Sequence, residues 1–194
     1  MSPRDASRAV VCESARLVLR RLSLDDADFI VELLNDPGWL AFIGDKHIHS
    51  RDDARRYIAA GPQAMVARHG FGLDVVELKT GGTPLGLCGL IKRDALDDVD
   101  LGFAFLPAAR GMGYAREAAR AVLADGARRL ALTRVAAITS TDNIRSIHLL
   151  TAIGFVFQRV IELQPGDPGT NLYLRVSRRP ACDAPARSSA RRAR

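Results

Sequence analysis

The residues best suited to chemistry lie in one turn, Leu106-Pro107-Ala108-Ala109-Arg110-Gly111-Met112-Gly113-Tyr114-Ala115. Gly111 and Gly113 let the backbone pass close to a ligand and take angles that other residues resist. A helical pattern begins directly after them, so its unshared N–H groups and the positive end of its dipole face the turn. Such a constellation binds anions and suits a pyrophosphate. A tight turn that uses glycine for geometry alone is the bland reading of the same residues. A dinucleotide fold is a third. Gly111-x-Gly113 begins that fingerprint, but Arg116 stands where the third glycine belongs and Thr133-Arg134 where the acid is expected, although Asp142 does end the next strand. No Gly-Lys-Ser/Thr follows any glycine run, so a nucleoside-triphosphatase loop has no support.

Metal chemistry has little to draw on. His47 and His49 form a His-x-His pair with no cysteine or further histidine nearby, so no metal site is expected. Cys12, Cys88 and Cys182 are odd in number and far apart, which argues against a disulfide scaffold and fits a reducing cytoplasm. Cys88, inside an apolar run, reads as a small buried hydrophobe.

The elements that must hold the turn follow from periodicity. Residues 1–14 read as a flexible leader. Met1–Ala9 carry charge but lead into no apolar core, so no secretion signal is expected. Arg16–Arg21 alternates apolar and polar residues, as a half-buried strand does. Ser23 caps a helix over about 24–35, which Asn35-Asp36-Pro37-Gly38 stops. Ser50 with Asp53 forms a capping box for a helix over about 51–60. Phe71–Leu78, Leu85–Lys92 and Val99–Leu106 are strands of an antiparallel meander. Gly113–Leu130 is a helix with apolar residues at 115, 118, 119, 122 and 123 on one face. Arg134–Thr139 is a strand and Asn143–Ile153 a helix that Gly154 ends. Phe155–Leu163 and Leu172–Val176 close the sheet. The whole is one α/β domain over 15–177 with a mixed, mostly antiparallel sheet of seven strands.

The chain has 194 residues, 47% of them hydrophobic and 26% charged, as a soluble globular domain has. No run approaches the roughly 20 apolar residues that a membrane helix needs. The net charge of +6 is misleading. Residues 178–194 hold six arginines and one acid, so nearly all of it sits in a tail expected to be disordered. That tail could give weak contact with RNA or the ribosome; its bland reading is a solubilising extension.

Two separated motifs carry a family resemblance. Arg110-x-x-Gly113-x-Ala115 resembles the cofactor signature of the GNAT acetyltransferases, and Asp100-Leu101-Gly102-Phe103 precedes it where the family often has acid-apolar-Gly-aromatic. Asn143-x-x-Ser146-x-x-Leu149, continuing to Gly154-Phe155, resembles the family's second signature helix. Ala15–Arg20 and Gly44-Asp45 are similar to the branch of Rim-type ribosomal-protein N-terminal acetyltransferases. The resemblance spans about residues 14–177.

It implies a sheet splayed between its fourth and fifth strands, with helices on both faces and acetyl-CoA as cosubstrate. Leu106, Arg110, Gly111, Met112, Gly113, Tyr114 and Ala115 would form the pyrophosphate site, with the charge of Arg110 added to it. Asn143 and Ser146 would meet the pantetheine arm. Asp100 becomes the candidate general base, with an ordinary strand acid as the alternative. Where many members have a tyrosine proton donor this chain has Leu150, so Ser146 becomes the candidate acid, with a helix or cofactor contact as the alternative. Trp39, Phe42, Tyr57 and the His47/His49 pair could border the acceptor, and Tyr114 packs at the helix start. The acceptor would be a primary amine, on a protein N-terminus or a small molecule. A non-catalytic acyl-CoA sensor is the alternative function, and pairing as a homodimer, known in many relatives, is open.

Overall fold

The computed structural model describes residues 8–177. The Arg-rich tail lies outside the described residues. The sheet has eight strands in the order β1-β2-β3-β4-β5-β6-β8-β7. They are β1 Val10–Glu13, β2 Leu17–Arg21, β3 Leu73–Leu78, β4 Pro84–Ile91, β5 Asp100–Phe105, β6 Arg134–Ser140, β7 Val156–Ile161 and β8 Thr170–Val176. The expected count of seven is therefore corrected to eight. Val10–Glu13, assigned above to a leader, pairs antiparallel with β2 through Val10 opposite Arg20 and Glu13 opposite Val18. A four-residue edge strand has too short a period to stand out beside a charged stretch.

Among the described residues there are six α-helices: α1 Ala27–Leu34, α2 Pro37–Phe42, α3 Arg51–Ile58, α4 Ala64–His69, α5 Tyr114–Arg129 and α6 Ile144–Ala152. Asn35–Gly38 was expected only to stop a helix. It also starts one, because Asp36 caps α2 by accepting from the N–H groups of Gly38 (3.0 Å) and Trp39 (3.2 Å). Pro37, in the first turn, needs no intrahelical partner. The capping box of α3 is present, with Ser50 N donating to Asp53 at 2.9 Å and Asp53 N to Ser50 at 3.1 Å.

The sheet separates two apolar cores. On one face Ala118, Ala119, Val122 and Leu123 of α5 and Leu150 of α6 pack on Leu17, Leu19, Leu101 and Phe105. On the other, Ile30, Leu33 and Leu34 of α1, Trp39 of α2 and Ile58 of α3 pack on Val75 and Leu87. Arg20 departs from the simple alternation of β2: it is buried, and its guanidinium holds both oxygens of Asp26 at 2.7 and 2.8 Å and reaches Glu77 at 2.9 Å. A buried charge is tolerable only when paired in this way.

Asp74 on β3 is less well served. It is buried and meets Arg21 at 2.9 Å. Burial outweighs that partner and, helped by Asp125, raises its carboxyl to about 7. A carboxyl raised above its ordinary value contributes stability that is complete below about pH 4 and lost as pH climbs through about 7. Melting should therefore occur at higher temperature at pH 5 than at pH 7.5. Asp74→Asn should flatten that slope; an unchanged slope in calorimetry would refute the assignment.

Candidate active site

β5 and β6 run parallel, whereas every other neighbouring pair is antiparallel. One ladder pair joins them, Asp100 opposite Ala136, supported by Ala136 N donating to Val99 O at 2.8 Å. Beyond this vertex the strands separate. Leu101–Phe105 stay bonded to β4 on one side, and Ala137–Ser140 to β8 on the other. Between them the edges of two backbones face an opening. Backbone donors and acceptors need partners, so the wedge suits a slender ligand that carries amides and can pair as an added strand.

The faces of β5 are set by its period of two. Leu101 and Phe105, with Phe103 beside them, belong to the core under α5, while Ala104 and Leu106 pack on the core under α1–α3. Asp100 and Gly102 share the second face by alternation. Asp100 is 1% exposed. Its Oδ2 accepts from Arg93 Nε at 3.1 Å, and its Oδ1 has no partner among the described residues. Burial raises the carboxyl above the ordinary aspartate value, against the pull of Arg93 and Lys92.

At the far end of β5 the chain makes the glycine turn. A 3-10 turn, Pro107–Ala109, leads to Gly111 at φ 76° and Gly113 at φ 79°, both in the left-handed region that glycine adopts without strain. Gly113 occupies the N-cap of α5 and offers no side chain to cap it, so the N–H groups of the first turn remain available. The turn is braced from the residue just before β2. Arg16 donates to Met112 O at 3.2 Å, lies 4.5 Å above the Tyr114 ring and pairs with Glu117 at 2.7 Å. Glu117 also accepts from Ser14 at 2.7 Å. Met112 is exposed; Leu106, Tyr114 and Ala115 are half-buried around the turn.

Arg110 has partners of its own in the fold. Its charge was expected to line the turn. Instead its guanidinium pairs with buried Asp36, and its Nε donates to Phe105 O at 2.9 Å. Gly38 lets it lie there, since a Cβ on that residue would stand 3.1 Å from Nη1. The motif arginine thus ties the turn to α2. Two further cations lie in the first two turns of α5. Arg116 and Arg120, one turn apart on α5, line an open groove of about 540 Å³ with Arg16 and Gly113 and the acids Glu13 and Glu117. Their i, i+4 spacing beside the signature was the available signal. Arg110→Ala should lower stability by ~1–3 kcal/mol, the cost of leaving Asp36 short of a partner. It should change CoA affinity by less than about threefold, which calorimetric titration would read; a loss of tenfold or more would return Arg110 to the phosphate.

On the other side of the wedge, Asn143 caps α6 by accepting from Ser146 N at 3.1 Å. The Asn143 amide nitrogen and the Ser146 hydroxyl make no hydrogen bond among the described residues, and both side chains are half-buried. Leu150 is 1% exposed in the core, so its position supplies packing and no proton. Trp39 is buried, and its Nε1 has no partner among the described residues. Leu40 and Phe42 of α2 and Ile43 just after it are exposed, and Tyr57 of α3 is half-buried within the field of Arg93. Asp45 joins His47 and His49, with one ligand atom of each within 4.8 Å of the others. The loop is exposed, and His47 bonding to Asp45 at 2.6 and 3.2 Å accounts for the arrangement. Cys88 is fully buried, which pushes its thiol up and makes it inert. No helix among the described residues is long and apolar enough to cross a membrane.

The acetyltransferase (GNAT) domain model matches residues 16–156, which takes in the wedge, the turn and both signature helices. The chain belongs to the GNAT acetyltransferase family. It is an acyl-CoA-dependent acetyltransferase, and GNAT members use acetyl-CoA as cosubstrate. An uncharacterized N-acetyltransferase of Bacillus subtilis, YoaA, is 26% identical over 175 residues, covering 87% of this chain and 98% of its own. A GNAT-family acetyltransferase of Bordetella pertussis shares the fold with a TM-score of 0.71 at 24% identity, over 87% of this chain and all of that one. So does a Salmonella typhimurium acetyltransferase that modifies the N-terminal serine of ribosomal protein L7/L12, at 16% identity and a TM-score of 0.71, over 84% and 96% of the two chains. The parallel pair with a single bridge is the GNAT splay, here between β5 and β6.

Proposed function

We propose that the protein transfers the acetyl group of acetyl-CoA to a primary amine, with the α-amine of a protein N-terminus as the acceptor. The observation that carries this is the single bridge at Asp100 and Ala136. It leaves a wedge with the anion turn and α5 on one face and a buried carboxylate on the other, so thioester and amine approach from opposite sides of the sheet. Acetyl-CoA supplies an activated acyl thioester. The N–H groups of residues 111–115 hold its pyrophosphate, with Arg116 and Arg120 adding charge. The open edges of β5 and β6 and the amide of Asn143 pair with the pantetheine arm.

An amine attacks only when neutral, so a base must take its proton. Asp100 does so, directly or through one water. Ser146 returns a proton to the departing thiolate, and no covalent enzyme intermediate is needed. The Rim-type opening Ala15–Arg20 and the fold shared with the L7/L12-modifying enzyme support a protein acceptor. The exposed apolar residues of α2 suit a peptide better than a polyamine.

The test is an amine panel with acetyl-CoA, read as free thiol and by mass spectrometry. Peptides beginning with serine or alanine should gain one acetyl on the α-amine. Acetylation of spermidine or free amino acids alone would move the acceptor to small molecules. Tight acetyl-CoA binding with no product would favour the sensing module.

A further inference from the structure

The β4–β5 loop, residues 92–99, is built to deliver one side chain. Lys92 sends its ammonium back into the loop and donates to the carbonyls of Arg93 at 3.3 Å, Leu96, and Asp97 at 3.2 Å. Leu96 is buried beneath it. Beyond, Asp98 takes two bonds from Arg134, at 3.0 and 3.2 Å, which staples the loop to the start of β6. Val99 O receives Ala136 N at the vertex. The segment is therefore fixed at both ends, and Arg93 is left to reach from the partly exposed rim onto buried Asp100.

Among the described residues, Asp100 Oδ1 is the one buried carboxylate oxygen without a hydrogen-bond partner. Arg20 grips both oxygens of Asp26, and Arg134 both oxygens of Asp98. Two-pronged pairing of this kind adds both energy and geometric specificity and serves both oxygens of the carboxylate. Arg93 offers Nε alone to Oδ2 of Asp100, and Oδ1 stays buried and unpaired. Leaving a carboxylate oxygen dry and unbonded is costly. Such an oxygen suits a site that must accept a proton.

We propose that Arg93 is a positioning residue for the transfer: it holds Asp100 by one oxygen, favours the charged form of the carboxylate, and leaves the other oxygen free for the proton of the acceptor amine. The inference rests on Asp100 acting as the base. In the step, the amine N–H bond breaks as nitrogen bonds to the acyl carbon; the proton passes to Oδ1, and the pair that held sulfur to carbon leaves with the thiolate. The charged and titratable groups around Asp100 are Arg93 and Lys92 from the loop, Tyr57 of α3 beside Arg93, and the Arg134–Asp98 pair across the vertex. Ile91 and Ala136, its strand neighbours, carry no charge.

The experiment uses the full chain labelled with carbon-13 aspartate, as wild type, Arg93→Gln and Arg93→Lys, with Asp100→Asn to assign the resonance. Each is titrated by NMR, and its kcat/KM is followed across pH with the peptide or amine that turns over in the panel. In Arg93→Gln the Asp100 titration and the acidic limb of kcat/KM should both move upward by about 1 pH unit or more. Arg93→Lys should restore most of the shift, with acetyl-CoA affinity unchanged in both. If the titration moves while the limb stays, Arg93 serves stability only, and the inference is overturned. If neither moves, Arg93 does not act on Asp100 at all. If Asp100→Asn keeps full turnover, the base assignment falls first.

Discussion

Gly113→Glu should abolish the response to acetyl-CoA. In the wild type, acetyl-CoA at about a hundredfold over its dissociation constant should stabilise the folded state by ~2.7 kcal/mol. For a domain of this size that is a rise in Tm of roughly 5–10 °C. CoA should act similarly and NAD should not. Two causes combine in the variant. Gly113 sits at φ 79°, where any side chain is strained, and a Cβ there points toward Arg16 Nη2 at 3.5 Å. The added carboxylate would also meet the phosphates at the helix start, where it competes for the same N–H groups. The variant should still fold, because α5 keeps its apolar face and Glu117 keeps Ser14 and Arg16. A far-ultraviolet spectrum like the wild type, with no ligand-dependent shift, is the expected pair of results. A shift retained in the variant would move the anion site elsewhere, and stabilisation by NAD but not acetyl-CoA would revive the dinucleotide reading.

That prediction could be written from the sequence because the turn is a local object. Glycine spacing, the strand before it and the helix after it lie within some thirty residues, and periodicity reads each of them. The same holds for the Ser50–Asp53 box, whose partners are three residues apart. What escaped reading was long-range. Arg110 belongs to the signature by spacing, yet its guanidinium finds Asp36, 74 residues earlier, and only the packed fold could reveal that choice. Arg20 looked like the polar side of a half-buried strand until Glu77 and Asp26 were placed beside it. Arg93 had no signal at all, since a Lys-Arg pair in an acidic loop reads as a solvated surface. β1 was lost for a different reason: four residues at a sheet edge barely differ from a polar leader.

Asp100→Asn should lower kcat by about 10²–10⁴, the range a positioned general base supplies, with acetyl-CoA affinity within about twofold of wild type. The isosteric amide keeps the strand and removes the proton acceptor. The effect on pH dependence carries a definite sign. Burial holds the Asp100 carboxyl above its ordinary value, and Arg93 and Lys92 draw it part of the way back. The base is active only when ionised, so wild-type kcat/KM should fall as pH drops through that raised value, and the limb should vanish in the variant. Stability should move the other way. A buried carboxylate with an unpartnered oxygen opposes folding when charged, so Asp100→Asn should melt no lower than wild type at pH 8 while turning over far more slowly. A structural aspartate would give the reverse pattern, a lower melting temperature with turnover largely kept. Stopped-time assays and calorimetry on the same preparation separate the two. The geometry favours the first outcome: a group whose chief service was to the fold would not sit at the one bridge of the splay with half of its hydrogen-bonding capacity unused.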